Sequence, residues 1–475
     1  MGGNKSFLER AIAMHANSHY RNRSDHGRSH YTDSSNYQSE SALSEAPASS
    51  KSRSQQRFYY PELDAIRLFL FIGVWSYHAL PREDGYYIAR HVPLAVASLI
   101  TGVIRGGMCS LDVFFILSAF LITELLLREK DVRGQADLKM FYIRRLLRIW
   151  PLYFFVIGLA AILSIFDRSQ PLSLLYAIAF TLFFGNWIVF LRGYPAASMI
   201  GPLWSVSFEE QFYLLWPLVL CKARKAIIYA IVGVMFAGAT LVRLNLLLRH
   251  VQFGSLWYNT FVRLDSIACG ILLALLLHGQ PLRSIGRHRR VALLFFALFI
   301  WFIVGRYCGL HDPAPPLTGG LIGFPLMSLS GVVIFISVLG SGSDGLSLLA
   351  HPALVYLGKI SYGLYAFHIL ALRCAYYLFK GYRGPFHMTL SSVTALALTL
   401  GMAASSFRWL ESPFLRLKQQ KFTYIPSGSV VKDGNQTDTA TEGEPSETQA
   451  VSNTREPNIC AASISGNLES APIES

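Results

Sequence analysis

Charged side chains are scarce in this 475-residue chain: Asp, Glu, Lys and Arg together make up 15% of it, against 52% hydrophobic residues. A soluble domain carries about 25% charged residues, so an ordinary water-soluble globule is excluded. Cysteine is scarce too. Cys109, Cys221, Cys269, Cys308, Cys374 and Cys460 are scattered, with no close pair and no metal-type spacing. Neither a disulfide framework nor a zinc site is supported, and no bound metal or permanently bound cofactor is expected. The alternation of polar and apolar positions that marks a membrane β-barrel is missing. No short apolar segment precedes the first long one, so no cleavable leader is expected. No internal repeat is evident.

What the chain has is apolar length. Segments at 63–80, 107–127, 149–166, 173–191, 205–220, 226–248, 259–277, 291–309, 318–339, 353–378 and 389–410 are each long enough to lie in a bilayer. The fold class is therefore all-α, a polytopic integral membrane protein. The net charge of +13 reads as basic cytoplasmic loops rather than a nucleic-acid surface. One such loop, 128–148, carries Arg128, Lys130, Arg133, Lys139, Arg144, Arg145 and Arg148; Lys222, Arg224 and Lys225 mark a second, and Arg283, Arg287, Arg289 and Arg290 a third. Between the first two lie three apolar segments, although both ends must be inside. One of the three cannot cross, and 173–191, which ends in Gly185, Asn186 and Trp187 before a Gly-Pro-containing loop, is the candidate for a re-entrant or interfacial piece. About ten transmembrane helices with both termini cytoplasmic then satisfy the positive-inside rule, with Lys380 and Arg383 as an exception. Residues 1–56 and 419–475 are polar and too poor in apolar surface to fold alone; they read as disordered cytoplasmic tails around a membrane domain at 57–418. Sequons at Asn22 and Asn435 therefore carry little weight.

Arg67 and His78 are the most informative residues. They lie eleven positions apart in the first apolar run, close to three helical turns and about 16 Å along the axis, so both leave one face at different depths. Ionisable groups at membrane depth are costly and mark functional sites by default. The topology puts His78, Asp112, Glu209 with Glu210, and an Arg263–Asp265 pair at one level near the extracytoplasmic face, and Arg145 with Arg148 at the cytoplasmic face. A histidine beside a carboxylate suits a general base that takes a proton from a hydroxyl. Two arginines one turn apart present forked donors suited to phosphate. Together these fit acyl transfer from a phosphate-bearing donor. The alternatives are plain: Arg145 and Arg148 as orientation signals, Arg263 with Asp265 as a structural ion pair, and Tyr365 and His368 as hydrogen-bonded packing residues.

Local strings carry a resemblance. Leu63-Asp64-Ala65-Ile66-Arg67 followed after ten residues by His78, Asp112-Val113-Phe114-Phe115-Ile116-Leu117-Ser118-Ala119-Phe120, Arg144-Arg145-Leu146-Leu147-Arg148 before Pro151, Trp204-Ser205-Val206-Ser207-Phe208-Glu209-Glu210, Ser361-Tyr362-Gly363-Leu364-Tyr365-Ala366-Phe367-His368 and Glu411-Ser412-Pro413 occur in order. Together they resemble the membrane acyltransferase 3 family, in an acyltransferase-only form without a C-terminal hydrolase-like domain. Ala119 stands where the family has Gly, and Ser412 where it often has Arg. The resemblance implies an O-acyltransferase moving an acyl group, commonly acetyl, from acyl-CoA to a hydroxyl of a cell-envelope glycan or other extracytoplasmic acceptor, within the inner membrane. It implies that His78 is the essential base, Arg67 its companion along the donor path, Arg145 and Arg148 the holders of CoA phosphates, and Glu209 a supporting group. On that reading Asp112 or Glu209 orients His78, and transfer is either direct or through an acyl-histidine. The competing class is a proton-coupled transporter or flippase, since a proton relay needs the same intramembrane Arg, His and acids.

Overall fold

In a computed structural model of the protein the described residues are 60–422, apart from 197, 280, 281, 283, 341–348, 383 and 385. The N-terminal tail, both sequons, Arg283, Arg383 and the C-terminal tail beyond 422 lie outside them. Every described element is helical. The order is α1 (Pro61–Ala79), α2 (Asp84–Ile88), α3 (Leu94–Gly106), a 3₁₀ turn (Gly107–Cys109), α4 (Ser110–Arg133), α5 (Leu138–Phe166), α6 (Leu174–Thr181), α7 (Gly185–Arg192), α8 (Leu203–Lys222), α9 (Lys225–Leu248), α10 (Phe253–Trp257), α11 (Leu264–Leu277), α12 (Arg287–Tyr307), α13 (Leu317–Leu339), α14 (Pro352–Lys359), α15 (Ser361–Phe379), α16 (His387–Ser406), a π turn (Phe407–Glu411) and α17 (Ser412–Phe422).

Local chemistry sets several of these ends. Pro61 opens α1 with Glu62 and Asp64 in its first turn, where a missing N–H costs nothing and acids meet the positive end of the helix dipole. Helix α4 stops at Gly134, whose φ of +76° is open to glycine without strain. Asp137 then caps α5 by accepting from the Met140 N–H at 3.0 Å. The expected segment 173–191 is not one helix. It breaks between α6 and α7 at Leu182–Phe184, with Phe183 at φ +59°, and neither eight-residue piece is long enough to cross a bilayer. Helix α5 begins at Leu138, eleven residues before the expected 149, so most of the basic residues expected in a loop at 128–148 lie on the end of α4 and the start of α5. Two further differences concern boundaries. Helix α3 precedes the expected 107–127 segment and runs through the 3₁₀ turn into α4, and α17 keeps the chain helical to Phe422, past the expected start of the tail at 419.

Among the described residues six helical stretches are long and apolar enough to cross a membrane: Leu94–Arg133, Leu138–Phe166, Lys225–Leu248, Arg287–Tyr307, Leu317–Leu339 and His387–Phe422. A seventh arises if α14 and α15, bent by 66° at their junction, count as one. Apolar side chains such as Phe166, Phe295, Leu378 and Val393 point outward and exposed, an arrangement suited to lipid. The chain is a multi-pass membrane protein.

Helices touch where side chains are smallest. A Cβ on Gly107 would collide with the backbone carbonyl of Gly73 in α1, one on Gly270 with that of Ile116, and one on Gly358 with that of Asp64. Such contacts let backbones approach without a hydrophobic driving force between them. The Gly358 contact holds α14 against the stretch of α1 that bears Arg67. Gly358→Ala is expected to destabilise the protein by about 1–3 kcal/mol, read as a lower thermal midpoint of the detergent-solubilised chain; an unchanged midpoint would show that α14 moves away cheaply.

Candidate active site

Two polar groupings bracket the interior of the bundle. The first gathers around Glu209 on α8. Its two carboxylate oxygens accept from Ser118 Oγ and Tyr213 OH, each at 2.9 Å, and those two hydroxyls lie 2.9 Å from one another. The Arg145 guanidinium carbon is 5.7 Å from the Tyr213 ring centre and 5.6 Å from that of Phe141. Arg148 lies within electrostatic reach of Arg67, Arg145, Glu209 and Glu411. Arg67 is anchored by Asp64, one turn earlier on α1. Four residues singled out from sequence, Arg67, Arg145, Arg148 and Glu209, therefore share one polar cluster.

Helix periodicity explains why the arginines differ. Arg145 and Arg148 are three apart on α5 and share a face, whereas Arg144 faces away and is committed to Glu129 at 3.0 Å. Lys418 on α17 is a further cation within reach of Arg144, Arg145 and Arg148. Hydropathy alone levels Glu209 with His78, and the structure corrects this. Helix α8 begins at Leu203, so Glu209 lies about 9 Å inside it rather than at its mouth. Glu210 points elsewhere, with one oxygen 3.5 Å from the Trp150 indole nitrogen.

The second grouping is a cavity of about 210 Å³ at the C-terminal end of α1. His78 lines it and is accessible from it. Around the imidazole stand the rings of Tyr77, Trp204, Trp257, Tyr258 and Tyr365, together with Arg82. Tyr365 is held by Ser205 Oγ at 2.8 Å and donates to the Pro202 carbonyl at 3.0 Å. The His368 ring centre is 5.3 Å from that of His78. His368 Nδ1 lies 2.6 Å from the Tyr365 carbonyl; a carbonyl only accepts, so Nδ1 carries the proton and Nε2 keeps its lone pair. That Nε2 is buried without a partner. A packing role for His368 thus accounts for one ring nitrogen and not the other.

No carboxylate is hydrogen-bonded to His78 among the described residues; the charged or titratable groups acting on it are His368 and Arg82. Asp112 is engaged elsewhere. It accepts from Arg263 at 2.7 Å and from Ser266 Oγ at 2.7 Å, and is fully buried. The anticipated Arg263–Asp265 pair does not form: Asp265 pairs with Arg243 at 2.6 Å. Two residues apart, at the junction of a 3₁₀ turn (Phe261–Arg263) and α11, their side chains leave different faces. Arg263 also lies 3.8 Å from the centre of the Trp257 ring and donates from Nε to the Trp257 carbonyl at 2.9 Å. The Asp112–Arg263 pair therefore braces the cavity wall from behind. Orientation of His78 by Asp112 or Glu209 has no hydrogen bond to support it.

Among the described residues no group of three or more His, Cys, Asp or Glu could hold a metal ion. Ser118, Tyr213 and Arg82 are site residues that sequence reading passed over. Tyr213 carried a usable signal, lying one turn after Glu209 on the same helix face.

The sequence model of a family described as an acyltransferase domain matches residues 60–407. Among curated proteins, the chain is 25% identical over 380 residues to a peptidoglycan O-acetyltransferase, OatA, of Listeria monocytogenes, covering 75% of this chain and 56% of that protein. It is 27% identical over 395 residues to the O-acetyltransferase OatA of Staphylococcus aureus, covering 78% and 59%. The chain spans about 60% of the length of the curated relatives it matches. No solved structure matches it.

Proposed function

The chain belongs to the acyltransferase-domain family, and from that premise we propose that it is an integral membrane O-acyltransferase moving an acetyl group from cytoplasmic acyl-CoA to a hydroxyl of a cell-envelope glycan. The observation that carries the reading is His78, which makes no hydrogen bond among the described residues and opens onto an aromatic-walled cavity. Six apolar stretches, the bent α14–α15 pair, and α1, α8 and α11 make ten crossings. The last three fall short as isolated spans for physical reasons. Helix α1 carries Glu62, Asp64 and Arg67, α8 carries Glu209 and Glu210, and α11 has only 14 residues. Each turns its polar groups toward protein rather than lipid, while apolar residues such as Phe69, Leu214 and Leu276 face outward. With both termini cytoplasmic, the arginine cluster faces the cytoplasm and the His78 cavity the opposite side.

Arg145 and Arg148 hold the phosphates of the donor through charge-assisted hydrogen bonds, and Arg67 continues the cationic path inward. Glu209, fixed by Ser118 and Tyr213, sets a carboxyl group within electrostatic reach of Arg67 and Arg148. At the inner end His78 takes the proton of the acceptor hydroxyl as its oxygen attacks the thioester carbonyl. The new C–O bond forms, the C–S bond breaks, and the proton returns from His78 to the departing CoA sulfur. An acyl group carried briefly on His78 reaches the same product in two steps.

The direct test is transfer of labelled acetyl from acetyl-CoA by the purified full chain in lipid. Arg145→Ala and Arg148→Ala are each expected to raise KM for acetyl-CoA about tenfold, the loss of one charge-assisted contact worth about 1.4 kcal/mol, with a smaller change in kcat. If KM stays put in both, the arginines do not hold the donor. A folded wild-type chain that neither transfers from nor hydrolyses acetyl-CoA would favour the transporter reading.

A further inference from the structure

The cavity beside His78 has a charge character of its own. Its wall is aromatic on several sides, and no Asp or Glu among the described residues lines it. Among the described residues the sole formal charge on the wall is Arg82, four residues after His78, just beyond the end of α1. The Arg82 guanidinium carbon lies 4.3 Å from the centre of the Tyr77 ring. No carboxylate among the described residues is within ion-pairing distance of it.

The nearby acids are committed elsewhere. Glu83 pairs with Arg105 at 3.4 Å. Asp84 accepts from Ser98 and Thr101 and lies 3.8 Å from Arg306. Hydrogen bonds from those hydroxyls hold the Asp84 carboxyl below its ordinary pKa, so it stays ionised and bound to its own partners. Arg105 additionally donates to the Arg82 carbonyl at 2.8 Å, which fixes the backbone from which Arg82 projects. An arginine positioned on a ring, facing a cavity and lacking an acid is a ready oxyanion receptor.

Size and shape narrow the ligand. A volume of about 210 Å³ is below the roughly 300–1,000 Å³ of drug-sized pockets, so one ring of an acceptor enters at a time. Aromatic faces accept the apolar face of a pyranose, while hydroxyls on its rim remain for His78.

We propose that Arg82 and the aromatic wall select an anionic acceptor: a single sugar unit carrying a carboxylate or phosphate beside the hydroxyl that His78 activates. Neutral sugars fit the rings without engaging the guanidinium, and a cationic sugar meets like charge with no acid to offset it. The inference rests on the acyltransferase reading and assigns its acceptor class.

The experiment uses the full chain in lipid nanodiscs with acetyl-CoA and four probes that share one ring: glucose, glucuronate, glucose 6-phosphate and glucosamine. The expected result is a kcat/KM about tenfold higher for glucuronate or glucose 6-phosphate than for glucose, with glucosamine lowest; which of the two anions leads separates carboxylate from phosphate. In Arg82→Gln that anion-to-neutral ratio is expected to fall close to one, and in Arg82→Lys to recover in part. A wild-type chain without preference overturns the inference. So does an Arg82→Gln variant that loses activity on all four sugars equally, which would mean that the arginine only supports Tyr77. If none of the sugars is acylated while His78-dependent acetyl-CoA hydrolysis persists, the acceptor class is wrong and the donor reading stands. Absence of both activities overturns the two together.

Discussion

Replacing His78 by alanine is expected to lower acetyl transfer by about 10²–10⁴-fold, the usual contribution of a positioned general base, while the thermal midpoint of the protein barely changes. The two halves of this expectation come from the same geometry. Among the described residues His78 makes no hydrogen bond, and it stands open to a cavity, so its removal enlarges a space already present and orphans none of their polar groups. The catalytic loss has the opposite origin, since among the described residues no other imidazole and no carboxylate lines the cavity. His368 cannot substitute, being fully buried behind the wall with Nδ1 held by the Tyr365 carbonyl. The measurement is labelled acetyl transfer alongside a thermal melt of the same preparation. Full activity in a folded His78→Ala protein would sink the proposed mechanism. A collapsed midpoint would make His78 a structural residue.

The second large effect is on stability and lies outside the reacting cavity. Arg263→Met is expected to destabilise the protein by about 3–5 kcal/mol, because it leaves Asp112 as an uncompensated buried charge. Asp112 is 0% and Arg263 1% exposed, so no water replaces the lost partner. The effect spreads, since Arg263 also supports Trp257 through its ring and its carbonyl, and Ser266 links Asp112 to Ser328 at 2.9 Å. Removing both charges together, as Asp112→Leu with Arg263→Met, is expected to recover much of the loss, because the desolvation of two ions disappears along with their attraction. Thermal unfolding of the wild type, the single and the double variant in one detergent decides it. A single variant as stable as the wild type would mean that Asp112 is neutral or hydrated in the membrane. Acetyl transfer by the double variant adds a separate readout: retained turnover excludes Asp112 from the chemistry.

The arginines illustrate how far local pattern reaches. Arg145 and Arg148 share a face because helical spacing requires it, and a reader of the sequence can pair them with confidence in their common direction. Spacing cannot say that Arg67, on a helix far away in sequence, approaches Arg148, nor that Glu209 lies within electrostatic reach of both. Carboxylate partners were harder still. Asp112 and Asp265 each had an arginine at a plausible depth, and depth alone cannot choose between Arg243 and Arg263. Glycine contacts such as Gly358 on the Asp64 carbonyl left no signal beyond the presence of a small residue.

Apolar run length, basic loops and turn chemistry were enough by themselves to establish a helical membrane protein, to place most helix ends within a few residues, and to single out Arg67 and His78 as costly groups, whereas Arg145, Arg148 and Glu209 gained their weight from the family resemblance. These properties are local, set by the hydropathy and hydrogen-bonding needs of each segment in lipid. Only the tertiary structure decided which groups meet: Glu209 with Ser118 and Tyr213, Asp112 with Arg263, His78 with His368 and an aromatic cavity. Partner choice depends on the stagger and rotation of helices relative to one another. Those follow from close packing over many small contacts, and no short window of sequence contains them.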